Sequence, residues 1–131
     1  YREFDAGKSL KEQDLGEGLA DLAIAVNVMH ATDDIYVGLS NARDLLRDGG
    51  VLLLSEIAPP ENGIYRYMEL TFGLLPSYTV YADKARRELA PIIRPKAWVE
   101  AFEEVGFKET HIIPGDGAPE LDRGGIVIGV K

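Results

Sequence analysis

A chain of 131 residues with 46% hydrophobic content is sized for one domain and carries enough apolar side chain for a core. Its net charge of −8 argues against nucleic acid as a partner, because phosphate recognition needs clustered Lys and Arg. No run of about eighteen apolar residues is present, so no membrane span is expected, and no charged-then-apolar leader with a cleavage site is seen. The absence of cysteine excludes disulfides and Cys-ligated zinc and suits a reducing cytoplasm. The densest basic spot, Lys84, Arg86 and Arg87, is followed at once by Glu88 and reads as a solvated helix face.

Residues 1–5 read as the tail of a strand and 8–18 as a polar connection. Residues 21–29 form a nearly continuous apolar run, the pattern of a parallel strand buried on both faces. Asp33 and Asp34 stand where a cap is needed for a helix over about 35–47, with Val37, Leu39, Ala42, Leu45 and Leu46 at helical spacing. Asp48-Gly49-Gly50 ends that helix with residues that tolerate positive φ. Residues 51–54 then make a second buried strand, which completes one right-handed parallel crossover.

From 59 to 95 the pattern loosens into a lid-like, partly helical insertion, rich in aromatics, with prolines at 59, 60, 76, 91 and 95. Its best helix lies over 65–75. A short amphipathic helix over 96–105 turns Trp98, Val99, Phe102 and Val105 inward and closes at Gly106. Residues 107–113 and 126–130 are the last strands, joined as a hairpin by a Gly-, Pro- and Asp-rich loop at 114–125.

Chemistry concentrates at the ends of the two buried strands, the edge where open α/β sheets bind ligands. His30 follows the first strand and Glu56 the second. Adjacent strand ends lie about 5 Å apart, so an imidazole and a carboxylate can meet there. A carboxylate fixes the tautomer of a neutral histidine and stabilises the imidazolium formed when it takes a proton, which is general-base chemistry. The plain alternative is a capping histidine and a solvated glutamate, and spacing alone weighs the two evenly. His111 sits within a strand pattern and reads as structural or solvent-facing. Two histidines so far apart, without a third ligand at matching spacing, do not suggest a metal site. The aromatics Tyr65, Tyr67, Phe72, Tyr78 and Tyr81 serve either packing or an acyl pocket.

The string Asn27-Val-Met-His-Ala-Thr, followed by Leu45-Leu-Arg-Asp-Gly-Gly-Val-Leu-Leu-Leu-Ser-Glu56, resembles the methyltransferase domains of polyketide synthases. Phe72-Gly-Leu-Leu-Pro76 is similar to that family's lid, and Trp98 with Gly106-Phe107 to its late helix and strand. The resemblance covers the whole chain in order. It implies an α/β fold, the C-terminal half of a Rossmann-like class I methyltransferase, with S-adenosylmethionine as cofactor. It implies that His30 and Glu56 are the dyad that takes a proton from the α-carbon of a carrier-protein-bound β-ketoacyl thioester. Asp5 would lie near the cofactor's adenine, and the backbone at Asn27 would face its methionine part. Tyr65, Phe72 and Tyr78 are candidates for the substrate pocket. Met29 for leucine, Asp48 for proline, and Ser77-Tyr78 for Gly-Trp are departures that bear on lid packing rather than on the dyad.

The family's first strand and its glycine-rich cofactor loop do not occur in these 131 residues. The chain by itself is therefore expected to bind the cofactor weakly or not at all and to be inactive. The strand at 21–29, central in the complete fold, becomes an edge that needs a partner, either the missing N-terminal half or a second copy. Two rival functions remain open on sequence grounds: an inactive remnant serving as a structural module of a synthase, and an oxygen-methylating relative.

Overall fold

A computed structural model describes residues 3–59, 66–75, 78, 80–83, 87, 92–115 and 124–131. The elements are β1 (Ala20–Val26), α1 (Ile35–Leu45), β2 (Leu46–Glu56), α2 (Arg66–Phe72), α3 (Pro95–Glu104), β3 (Glu109–Ile113) and β4 (Gly125–Val130), with 3-10 turns at Lys11–Gln13 and Met29–Ala31. The strands form one sheet in the order β1-β2-β4-β3. β1 and β2 run parallel, while β4 lies antiparallel between β2 and β3. The strand–helix–strand crossover and the terminal antiparallel pair are thus as the sequence pattern requires.

Local chemistry explains the boundaries. Asp34 caps α1, its carboxylate accepting from the amides of Tyr36 and Val37. Asp33, the other expected cap, plays no such part. The helix stops at Leu45, two residues short of expectation, because Leu46 is already extended. Lys131 Nζ donates to the carbonyl oxygen of Leu46 at 2.6 Å, a cation placed on the helix's negative end. The Gly-Gly turn falls inside β2 as an irregularity: Ala20 pairs with Leu46, but Leu22 already pairs with Val51. Only glycine fits at position 50, where a Cβ would stand 2.8 Å from the carbonyl oxygen of Arg47. α3 ends in a Schellman arrangement, with Gly106 at φ 89° and the Phe107 amide donating to the carbonyl of Phe102.

The core lies on one side of the sheet. Leu39 and Ala42 of α1, Leu52 and Leu54 of β2, and Trp98, Ala101 and Phe102 of α3 are fully buried there. Val99 and Val105 pack at its margin. Val37, expected inward, is exposed. Residues 3–5 are not a strand, for no ladder neighbour lies beside them among the described residues.

The larger correction concerns β1, which is buried on one face only. Ala23 and Ala25 turn to the core, while Leu22, Ile24 and Val26 are 53%, 63% and 55% exposed. Among the described residues nothing covers that face, and β2 is the only strand pairing with β1. Large apolar side chains on a sheet with an open edge are a template for association. The isolated chain is therefore expected to self-associate in sedimentation experiments, and Ile24→Lys to suppress this while leaving the chain's circular dichroism unchanged. A monodisperse wild-type monomer would contradict the expectation.

Candidate active site

β1 ends at Val26, and Asn27 turns the chain at φ 51°, a left-handed conformation that asparagine tolerates better than most residues. Its amide donates to the carbonyl of Ser55 at 2.8 Å, and its side-chain Oδ1 accepts from the amide of Ile57 at 3.1 Å. Asn27 therefore ties the ends of β1 and β2 together. Its side chain is occupied by that bond. The 3-10 turn Met29–Ala31 follows and carries His30.

Glu56, the last residue of β2, reaches beneath this turn and is 6% exposed. Its Oε1 accepts from the amides of Val28 at 3.0 Å and Met29 at 2.8 Å. Its Oε2 stands 2.5 Å from Nδ1 of His30. In a neutral imidazole, a carboxylate acceptor at Nδ1 selects the tautomer that carries the proton there and leaves the lone pair on Nε2. The imidazole is partly exposed. The arrangement can hold a neutral histidine in one tautomer and stabilise it once protonated.

Beside the turn opens a cleft of about 700 Å³, lined by Phe4, Asp5 and Ala6 on one side and by Val28, Ala31 and Thr32 on the other. The Asp5 carboxylate is held by the Lys8 ammonium at 2.9 Å and by the Gly7 amide at 3.0 Å. These contacts, the lysine first, lower its pKa below the usual carboxylate value, and the same pairing raises that of Lys8. Phe72 and Tyr78 are absent from the cleft's described lining, and Phe72 is 41% exposed on α2. Tyr65 lies outside the described residues.

Sequence reasoning missed Arg87. Read as part of a solvated basic face, it is instead 1% exposed, and its guanidinium donates to the carbonyls of His30 and Thr32, each at 2.7 Å. Burial of an arginine depends on acceptors brought from far along the chain, here 57 and 55 residues away, and leaves no periodic signature. Lys84 and Arg86 lie outside the described residues.

No protein-family model matches the chain. Among known proteins it is 35% identical over 119 residues to the methyltransferase calH of Penicillium decumbens, covering 91% of this chain and 31% of calH. It is 37% identical over 111 residues to the highly reducing polyketide synthase frbB of a Dothideomycetidae species, covering 85% of this chain and 4% of that synthase. The crystal structure of the CurJ carbon methyltransferase superposes with a TM-score of 0.84 at 29% identity, over 99% of this chain and 34% of that one. A CalH complex with SAH superposes at 0.81 and 31% identity, over 99% of this chain and 35% of CalH. The chain thus spans about a third of the separate methyltransferases it matches.

Parallel β1 and β2 joined by α1, with an antiparallel final strand inserted beside them, place the chain in the class I methyltransferases as part of a Rossmann-like fold. Within that class its relatives are polyketide synthases and separate methyltransferases, one of them a carbon methyltransferase, and it matches them as a partial domain.

Glu56→Ala removes the acceptor for three main-chain amides, one of them buried. It is expected to lower stability by about 1–3 kcal/mol in denaturant unfolding, with Glu56→Gln costing less. An alanine variant as stable as wild type would show that the carboxylate does not organise the turn.

Proposed function

We propose that the domain containing this chain methylates the α-carbon of a β-ketoacyl thioester carried on an acyl carrier protein, with His30 as general base and Glu56 as the group that orients it. The observation that carries this reading is the 2.5 Å contact between His30 Nδ1 and Glu56 Oε2, which leaves Nε2 as the free basic nitrogen. In the reaction Nε2 takes a proton from the α-carbon. The electron pair of the broken C–H bond delocalises into the two carbonyls, and positive charge appears on an imidazole already paired with a carboxylate. Support for the substrate class comes from the relatives, one named as a polyketide synthase and another as a carbon methyltransferase.

S-adenosylmethionine is the proposed cofactor and supplies an electrophilic methyl group. The cleft fits a ligand of net positive charge, since Glu3, Asp5, Asp33 and Asp34 line it with Lys8 the one cation among its described residues. The carboxylate of Asp5 and the backbone at Asn27 would hold it. With about two thirds of the related methyltransferases lying outside this chain, the chain alone is proposed to be inactive, and the rest of the domain is the preferred cover for Leu22, Ile24 and Val26 over a second copy.

Mutation separates this reading from a structural module. In the complete polypeptide, His30→Ala is expected to lower methylation of a β-ketoacyl carrier substrate by ~10² to 10⁴-fold. Glu56→Gln should cost less, because the carboxylate acts only through the histidine. Methylation that survives His30→Ala within a few-fold sinks the dyad, and a wild-type polypeptide without methylation favours the structural module.

A further inference from the structure

The turn that carries His30 is held from two directions. Its amides, at Val28, Met29 and His30, are taken by Glu56. Two of its carbonyls are used locally: Val28 accepts from Ala31, and Met29 accepts from Thr32 through both amide and hydroxyl. The carbonyls of His30 and Thr32 instead take their donors from Arg87, at 2.7 Å each, so one planar guanidinium spans the turn.

Arg87 itself is fixed. Its Nε makes an ion-pair contact of 2.7 Å with Asp83 Oδ1, and both side chains are almost wholly buried. The other oxygen of Asp83 accepts from the amide of Ile35, the first residue of α1, at 3.1 Å. The amide of Ala82 donates to the carbonyl of Asp33 at 2.7 Å, and the Tyr81 ring lies 4.6 Å from the guanidinium carbon. Residues 82, 83 and 87 therefore meet the stretch from His30 to Ile35 at four points, each of them a hydrogen bond.

Burying two charges costs more than packing apolar side chains of the same size, so an ion pair at such a place is poor evidence of a stabilising role. What it supplies is direction. A guanidinium that bonds both carbonyls permits one orientation of the turn, and the orientation of the turn sets where the imidazole stands relative to Glu56 Oε2.

We propose that Arg87, held by Asp83, is a positioning residue for His30, fixing the turn from its carbonyl side as Glu56 fixes it from its amide side. This rests on the assignment of His30 as the base.

The test uses the complete domain with Arg87→Met, Arg87→Lys and Asp83→Asn, each read in two ways. The first is kcat and KM for methyl transfer, and the second is the proton resonance of His30 Nδ1–H, observed well below the melting temperature. Arg87→Met is expected to lower kcat about 10²-fold, the cost of a base displaced by about an ångström, with KM changed far less. Its Nδ1–H signal should broaden through exchange with water. Arg87→Lys, which reaches one carbonyl and not both, should recover part of the rate and part of the signal. A variant that merely loses stability keeps both readouts while it remains folded.

Folded Arg87→Met with wild-type kcat and an unchanged Nδ1–H signal overturns the proposal. If Arg87→Met does not fold, unchanged readouts in both Arg87→Lys and Asp83→Asn overturn it instead. Failure of the underlying assignment looks different: His30→Ala then retains methylation, while the resonance still reports whether Arg87 orders the imidazole.

Discussion

The carboxylate of Glu56 is the contact on which the rest of the site depends. It closes the end of β2 over the turn after β1, taking main-chain amides with one oxygen and the imidazole with the other. A charge buried there without those donors would be costly, and the amides without it would be unsatisfied. Each partner thus makes the other tenable, and the histidine takes its orientation from the same group that folds the turn. The parallel pairing of β1 with β2 brings the two strand ends together, and Asn27 locks them there through its side-chain bond to Ile57.

Much of this was legible in the sequence, for identifiable reasons. The apolar runs before His30 and Glu56 marked two neighbouring strands, and the intervening helix forced them parallel, so the two residues had to fall on one edge. The Gly-Gly turn and the Trp98 helix were visible because glycine geometry and helical periodicity are local. What escaped detection was non-local. Arg87 sat in a basic cluster that looked solvated, and its burial follows from carbonyls more than fifty residues earlier. The run at 21–29 looked buried on both faces because composition records what a strand is suited to. Whether a covering layer lies within the same chain is a separate matter.

That mismatch between composition and burial is informative. Leu22, Ile24 and Val26 are too apolar for a solvent-facing strand, and their exposure is accounted for if this chain is one part of a larger folded unit. The relatives agree in proportion, since the chain matches almost entirely within proteins about three times its extent. The core on the opposite side, built by α1 and α3 against β2 and β4, is complete by comparison and brings the chemical edge into order.

The central claim is that His30 removes a proton from carbon, and it can be measured apart from methyl transfer. Exchange of the α-hydrogens of a carrier-bound β-ketoacyl thioester into deuterated water should be followed with the complete domain and no methyl donor. The account predicts exchange well above the uncatalysed rate for wild type, a lower rate for Glu56→Gln, and the uncatalysed rate for His30→Ala. Exchange by His30→Ala at the wild-type rate would contradict it.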